Sequence, residues 1–289
     1  MTRARGAALL LVLWLIVLLS ALVGAFALTA KTEALQGRVL YHGIVAEQAA
    51  RAGLDYAVTR IEQTDPRLQW LPDGRDYRWR FADAAITVKI VDESGKVDLN
   101  QADAALLAAL FEATGVDGEQ ASRVAGAILD WRDADPLTQP SGGAEDPDYE
   151  AAGRLYGAKD ALFESVAEVE QVLGMTPALY ARVAPYLTVY SGRAQPDTTF
   201  APGMVLQAMG LEAGPLLAQR AAWDPASGAP PPPGQAYVGS NSGTYSIESR
   251  ARLRNGRESV LRAVIRAGSN GMPGSAYTPL RWEEGASPR

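Results

Sequence analysis

The run GAALLLVLWLIVLLSALVGAFALTA, residues 6–30, decides how the rest of the chain is read. It holds no charged residue, while Arg3 and Arg5 stand just before it and Lys31 just after. A helix needs about 20 apolar residues to cross the hydrocarbon core of a bilayer, so the run is long enough to span. The arginines on its short side put residues 1–5 in the cytoplasm and everything after Lys31 across the membrane. The run alone allows two readings. Ala25-Phe26-Ala27 offers the small-x-small pattern of a cleaved secretory signal, although the apolar region exceeds the usual ~7–15 residues of such signals. The other reading is a plain membrane anchor.

The flanking residues add a third. Arg3-Ala4-Arg5-Gly6, followed by small and then large apolar residues, resembles the processing site of type IV pilin-like proteins. In that family a membrane peptidase cuts after the glycine, here between Gly6 and Ala7, and the apolar helix is kept. The residues beyond Lys31 favour this reading. Leu35, Val39, Leu40, Ile44, Leu54, Val58 and Ile61 continue at three- and four-residue steps. No strong breaker appears before Asp65-Pro66, and Gly37, Gly43 and Gly53 weaken the pattern only locally. The spacing predicts one helix from about Ala7 to about Gln63, greasy all round at first and amphipathic later. A cleaved signal does not explain that continuity.

Composition narrows the rest. With 289 residues the chain has room for one or two cored domains. It has no cysteine, which excludes disulfides, thiolate metal sites and cysteine nucleophiles. A single histidine, His42, sits within the expected long helix as a surface or packing residue and argues against most zinc sites and Ser-His-Asp catalysis. The net charge of −6 argues against a nucleic-acid partner, which calls for a basic face.

Beyond the helix, Tyr77, Trp79 and Phe81 alternate with arginines, and Ile86, Val88 and Ile90 alternate with Thr87 and Lys89. These read as two half-buried strands, with Val97 and Leu99 as a short third. Helix signals return over Ala104–Glu112, Gln120–Arg132, Asp160–Leu173, Pro177–Ala184 and Pro202–Met209. A weak internal repeat of short helix, glycine turn and second helix relates residues 99–132 to residues 199–222, with a related unit around Gly174. Pro230–Gly234 can continue neither a helix nor a central strand. Alternation resumes from Tyr245 to Leu253, and Asn255-Gly256 signals a hairpin to a partner strand near Glu258–Ala267. The expected fold is α+β. A long N-terminal helix packs on an antiparallel sheet from residues 64–99 and 238–270. A helical domain, 100–222, of helix-hairpin-helix or SAM-like kind, is inserted between strands. A proline-rich linker, 223–237, and a loose tail, 271–289, complete it.

Three constellations invite a chemical reading. The helix–glycine–helix units resemble modules that grip DNA backbone, but residues 97–190 hold sixteen Asp/Glu against five Lys/Arg, a net of −11 that repels phosphate. A protein-packing module is the better reading. Second, Asp130, Asp133, Asp135, Glu145, Asp146 and Asp148 put six carboxylates within nineteen positions, broken by Gly and Pro. Calcium takes about 6–8 oxygen ligands on such adaptable loops, and the spacing is not that of an EF-hand. A solvated acidic loop is the competing reading. Paired carboxylates also serve glycosidases, but no aromatic-lined sugar cleft can be inferred. Third, Thr176 reads as an N-cap with Pro177 at the first helical position.

Taken together, several stretches resemble the general secretion pathway protein K family, the large minor pseudopilins of type II secretion. They are Arg3-x-Arg5-Gly6, Lys96-Val97-Asp98-Leu99-Asn100, Leu129-Asp130-Trp131-x-Asp133-x-Asp135, Gly143-Ala144-Glu145-Asp146-x-x-Tyr149, Gly174-Met175-Thr176 and Pro185–Tyr190, in family order. The resemblance implies a pilin-like body with an inserted helical domain and calcium in the acidic loop. Asp130, Asp133, Asp135, Glu145, Asp146 and Asp148 are the implied ligands. It implies a non-enzymatic, single-pass protein of the inner membrane with its body in the periplasm. Its implied partners are the I- and J-type minor pseudopilins, the H type as a further candidate, the prepilin peptidase and the inner-membrane secretion platform. After cleavage at Gly6, the acid common in pilin-like subunits would fall at Leu11, which is apolar here. A carboxylate in the membrane costs about 2.5–3.5 kcal/mol, offset elsewhere by the free amine of a neighbouring subunit above. A subunit without that neighbour suits leucine, so the expectation is a pseudopilus tip. A type IV pilus minor pilin and a membrane-anchored helix-hairpin-helix binding protein remain the alternatives.

Overall fold

The computed structural model describes residues 5–140, 142–230, 232, 242–268 and 276–285. Residues 1–4 of the expected leader, and 231 and 233–237 of the expected linker, lie outside them. Helix α1, Arg5–Ile61, runs 57 residues without interruption. From Leu9 to Tyr41 its large apolar side chains are exposed on every side. Beyond that point one stripe is buried: Ala46, Ala49, Ala50, Leu54, Ala57, Val58 and Ile61. That spacing is the 3.6-residue period of a helix with one packed face. Gly53 lies where helix and sheet approach most closely, since a Cβ there would collide with Ser249 Oγ and lie 2.8 Å from Ile86 Cγ2.

Among the described residues, the sheet beneath α1 has five antiparallel strands in the order β1, β2, β5, β6, β7. β1 is Asp73–Phe81, β2 Ala84–Asp92, β5 Thr244–Leu253, β6 Glu258–Ala267 and β7 Tyr277–Glu283. Ala84, Ile86, Val88 and Ile90 of β2 face α1, while Ala85 and Lys89 alternate outward. The chain leaves the sheet at Asp92 and returns opposite it, because Asp92 pairs with Tyr245 on the adjacent strand. Everything between is thus an insertion with both ends at one edge of the body.

The insertion contains α2 (Ala104–Ala113), α3 (Gly118–Arg132), α4 (Asp146–Ala151), α5 (Pro177–Val183), α6 (Gly203–Ala208) and α7 (Ala213–Ala222). It has its own core around Leu107, Leu110, Phe111, Ile128, Trp131 and Tyr149. The expected repeat is present in shape. Gly115 and Gly210, both at positive φ, turn α2 into α3 and α6 into α7. Thr176 caps α5, its hydroxyl accepting the Leu179 N–H at 3.2 Å.

Three expectations are corrected. Val97-Asp98 (β3) does not join the main sheet; it pairs in parallel with Leu187-Thr188 (β4) inside the insertion. Asp160–Leu173 is not an α-helix, and only Val166–Gln171 coils, as a 3₁₀ turn. Phe163, Val166, Val169 and Val172 recur every third residue, which suits the three-residue 3₁₀ turn better than the 3.6-residue helix. The tail is not wholly loose, because β7 is a fifth strand. Pro279 obscured it: proline in a strand is confined to edges and bulges, and here β7 is an edge strand with a register shift opposite Val264 and Ile265. Its residues reach α1, where Tyr277 donates its hydroxyl to Asp55 at 2.9 Å and Arg51 lies 5.6 Å over the Trp282 ring.

Candidate functional site: an acidic loop and a polar seam

The acidic loop hangs between α3 and α4. Gly126 and Gly143 let it lie close on α3: a Cβ at Gly126 would overlap the Gly142 carbonyl, and one at Gly143 would overlap Asp130 Oδ2. Asp130 is fully buried, and its carboxylate accepts the Ala144 N–H at 2.8 Å and, more weakly, the Gln139 N–H at 3.3 Å. It staples both limbs of the loop to the helix. Asp148 does a similar local task, accepting the Glu145 N–H at 3.0 Å. Asp146 accepts the Ala158 N–H at 3.1 Å, and Asp135 the Leu137 N–H at 3.0 Å.

Glu145 and Asp133 differ from the others. Glu145 is only 6% exposed, and its Oε1 has no hydrogen-bond partner. Asp133 Oδ1 is likewise buried without a partner. Burial pushes the Glu145 carboxyl up to about 7, helped by the nearby charges of Asp130, Asp133, Asp160 and Asp135. Burial, then Asp135, also raises Asp133, and burial raises Asp130 despite its backbone hydrogen bonds. A cavity of about 380 Å³ beside them is lined by Asp135, Thr138, Glu145, Asp146, Asp148 and Asp160. Asp160 escaped the sequence reading because it stands in a stretch taken for a helix; its backbone is left-handed, φ +55°.

Hard oxygen donors, two of them buried and unpartnered, are the chemistry calcium takes. Yet among the described residues no three acidic or histidine side chains are already gathered closely enough to hold an ion. Asp133 Oδ1 and Glu145 Oε1 are the buried oxygens without partners; Asp130, Asp135, Asp146 and Asp148 already accept backbone N–H groups. Below the loop, Trp131, Tyr149, Tyr156 and Phe163 pack ring on ring. Burial pushes the Tyr149 hydroxyl up to about 12, and that oxygen accepts the Leu173 N–H at 3.1 Å.

The second cluster of acids forms a seam between insertion and sheet. Asp92 takes the Ser94 N–H at 2.8 Å and both the N–H and hydroxyl of Ser242, at 2.9 and 2.6 Å. Glu93 receives Lys96 Nζ at 2.5 Å and the hydroxyls of Thr188 and Ser246. Asp98 holds the Asn100 and Gly192 N–H groups at 2.9 and 2.8 Å and the Ser191 hydroxyl at 3.0 Å. Asn100 exchanges two hydrogen bonds with the Phe163 backbone, at 2.9 and 2.8 Å. The Lys96–Asn100 motif is therefore the hinge line of the insertion. On the opposite flank Arg75 reaches the carbonyls of Trp223 and Arg220 at 3.1 and 3.0 Å.

In the apolar part of α1 that is exposed on every side, Leu11 is 68% exposed. The Gly6–Ala7 bond lies in the first turns of the same helix.

The seam and the loop coincide with a recognisable family region. The family model for type II secretion system protein K matches residues 88–192. Type II secretion system protein K of Klebsiella pneumoniae is 30% identical over 210 residues, covering 64% of this chain and 62% of that one. Residues 88–192 are thus similar to the protein K family of type II secretion. A putative family member from Escherichia coli K12 is 26% identical over 204 residues, covering 64% of this chain and 62% of the relative. The Aeromonas hydrophila protein is 37% identical over 79 residues, 27% of this chain and 24% of that one. The chain thus matches about three fifths of the length of the first two relatives. A chain from the crystal structure of the GspK–GspI–GspJ complex of enterotoxigenic E. coli superposes with a TM-score of 0.57 at 18% identity. The match covers 89% of this chain and 99% of that one, and shows that the two share a pilin-like fold.

Proposed function

We propose that this chain is a minor pseudopilin of the type II secretion system, and not an enzyme. It would sit at the tip of the periplasmic pseudopilus and support export of folded proteins across the outer membrane. The observation that carries the reading is one uninterrupted helix serving two environments. Residues 9–41 expose apolar side chains on all sides, and residues 46–61 bury a single stripe on a sheet. Such a helix anchors a periplasmic body to the inner membrane by a single pass, and in an assembly its bare part packs on the helices of other subunits.

The rest of the reading builds on that geometry. Prepilin peptidase would remove the leader at Gly6–Ala7, and the inner-membrane platform would receive the processed subunit. Leu11 removes the charge that needs a neighbour above, and the bulky insertion at the end of the sheet far from the anchor obstructs stacking of another subunit there. The partners are the I- and J-type minor pseudopilins, with the H type as a further candidate. Calcium, held by Asp133, Asp135, Glu145 and Asp160, would relieve the mutual repulsion of the loop and stiffen that surface for assembly.

The test is co-purification of the full chain in detergent with I- and J-type minor pseudopilins of the same system, with and without chelator. A stable complex that weakens in chelator is expected. No complex under either condition removes the tip assignment. Calorimetry that finds no calcium uptake, or uptake insensitive to Asp133→Ala and Glu145→Ala, removes the metal.

A further inference from the structure

The sheet is electrically lopsided along α1. Because α1 ends at Ile61 and β1 then turns back, the β1–β2 turn at Ala82-Asp83 and the β5–β6 hairpin at Arg254–Arg257 both lie at the anchor end of the body. The position of Arg257 confirms the direction, since its guanidinium lies beside Gly43, where the buried part of α1 begins. Four exposed arginines collect on this rim: Arg80, Arg252, Arg254 and Arg257. Arg80 and Arg252 flank Ala85 across three strands, on the sheet face away from α1. With Arg254 and Asp83 they line an open depression of about 250 Å³. Among the described residues only Asp83 and Glu258 oppose them, in exposed pairs: Asp83 with Arg254 at 3.1 Å and Glu258 with Arg252 at 3.7 Å. Exposed pairs of this kind contribute little and release their arginines easily. The insertion at the other end is strongly acidic, so the body carries its positive pole toward the anchor.

Just below the rim, α1 keeps Leu35, Val39, Leu40, Tyr41 and Ile44 exposed, each 50–68%. In an unassembled subunit these side chains have no protein cover among the described residues. About 12 helical residues separate Lys31 from Gly43, or ~18 Å of rise. The headgroup layer fills roughly the first 5–8 Å of that gap. A tilt of about 20°, ordinary for a membrane helix, lowers a sheet edge ~15 Å from the helix axis by a further ~5 Å. The remaining few ångströms lie within an arginine side chain's reach and within the ~8 Å Debye length of physiological salt.

We infer that the unassembled subunit lies tilted on the membrane, with this arginine rim against anionic phospholipid headgroups and Leu35, the lowest of these exposed apolar residues, at the lipid interface. The inference rests on the anchor reading above and adds a resting pose to it. The bound lipid is an anionic phosphate diester recognised by charge, and the acidic insertion is held away from the surface by repulsion.

The absence of cysteine makes the test clean. The full chain is reconstituted with a single fluorophore at Asn255→Cys on the rim, Leu155→Cys on the insertion, or Leu18→Cys in the span. The vesicles are phosphatidylglycerol–phosphatidylcholine mixtures or pure phosphatidylcholine, doped with headgroup or acyl-chain spin labels. The rim label is expected to be quenched by headgroup spin labels on the anionic vesicles at low salt. Each arginine near an anionic surface favours the docked pose about fivefold, so quenching should fall several-fold on phosphatidylcholine, at high salt, and in Arg80→Gln/Arg252→Gln/Arg254→Gln. Leu155 should stay unquenched throughout. Equal rim quenching on both lipids, indifference to the three substitutions, or equal quenching at Leu155 overturns the inference. If the Leu18 label escapes acyl-chain quenching, the anchor reading falls and takes the resting pose with it. If Leu18 is quenched and the rim is not, the pose alone is wrong.

Discussion

Two sets of buried acids stand on either side of the same insertion and behave in opposite ways. At the seam, Asp92, Glu93 and Asp98 are all about 1% exposed or less, and each has several donors aimed at it. In the loop, Glu145 is almost as buried, yet one of its oxygens has no hydrogen-bond partner. A buried charge must be paired or hydrogen-bonded, or it will neutralise. The seam has taken the first course, and the raised Glu145 carboxyl takes the second unless a cation joins it. Acidic residues alone therefore do not mark a ligand site; acids short of donors do.

The comparison can be broken most forcefully at the seam. Glu93→Ala leaves Lys96 and two hydroxyls buried without their acceptor, and removal of one partner from a buried pair costs about 3–5 kcal/mol. Denaturant unfolding of the full chain in detergent reads this directly, and a loss under 1 kcal/mol would show that the seam is not a structural clamp. In the loop, calcium at a hundredfold excess over its Kd should add about 2.7 kcal/mol of stability. Glu145→Gln and Asp133→Asn should each abolish that gain in thermal melts. Asp130→Ala is expected to destabilise with or without calcium by about 1–3 kcal/mol, the cost of a buried N–H left unpaired. If instead it loses only the calcium response, Asp130 is a ligand and its backbone role is secondary.

The smallest effect is a pH slope. Glu145 has a carboxyl raised in the folded state, so its favourable contribution is complete below the ordinary glutamate range and is lost as pH rises to about 7. Chelated protein should therefore melt at a lower temperature at pH 8 than at pH 5, and Glu145→Gln should flatten the difference. Saturating calcium should reverse it, because the ion binds the deprotonated form. A melting temperature that rises with pH in chelator would contradict the reading of this loop.

How much of this was legible in the sequence depends on the range of the interaction. Helix α1, β2, β5 and the β5–β6 hairpin announce themselves in local periodicity, because one face of each meets the core and the other meets solvent. The six loop acids were visible as a cluster, but their division of labour was not. Asp130 and Asp146 bond to amides brought close only by the fold, and Asp160 arrives from a segment whose three-residue apolar repeat imitates a helix. The Lys96–Asn100 motif was recognisable as a family feature, yet nothing local shows that Glu93 and Lys96 meet Ser246 across 150 residues of chain. β7 was hidden by Pro279, which only an edge strand with a bulge tolerates.

By itself, the sequence determined a charge-free span followed by an amphipathic continuation, two alternating strand pairs, an acidic helical insertion and the exclusion of thiol chemistry. These rest on composition and short-range period, which water and lipid read directly. Only the tertiary structure decided where the insertion is hinged, which loop acids are left without donors, and that the arginines of two separate hairpins gather at the anchor end. Those facts depend on strand pairing between residues far apart in the chain, and such pairing leaves no local trace.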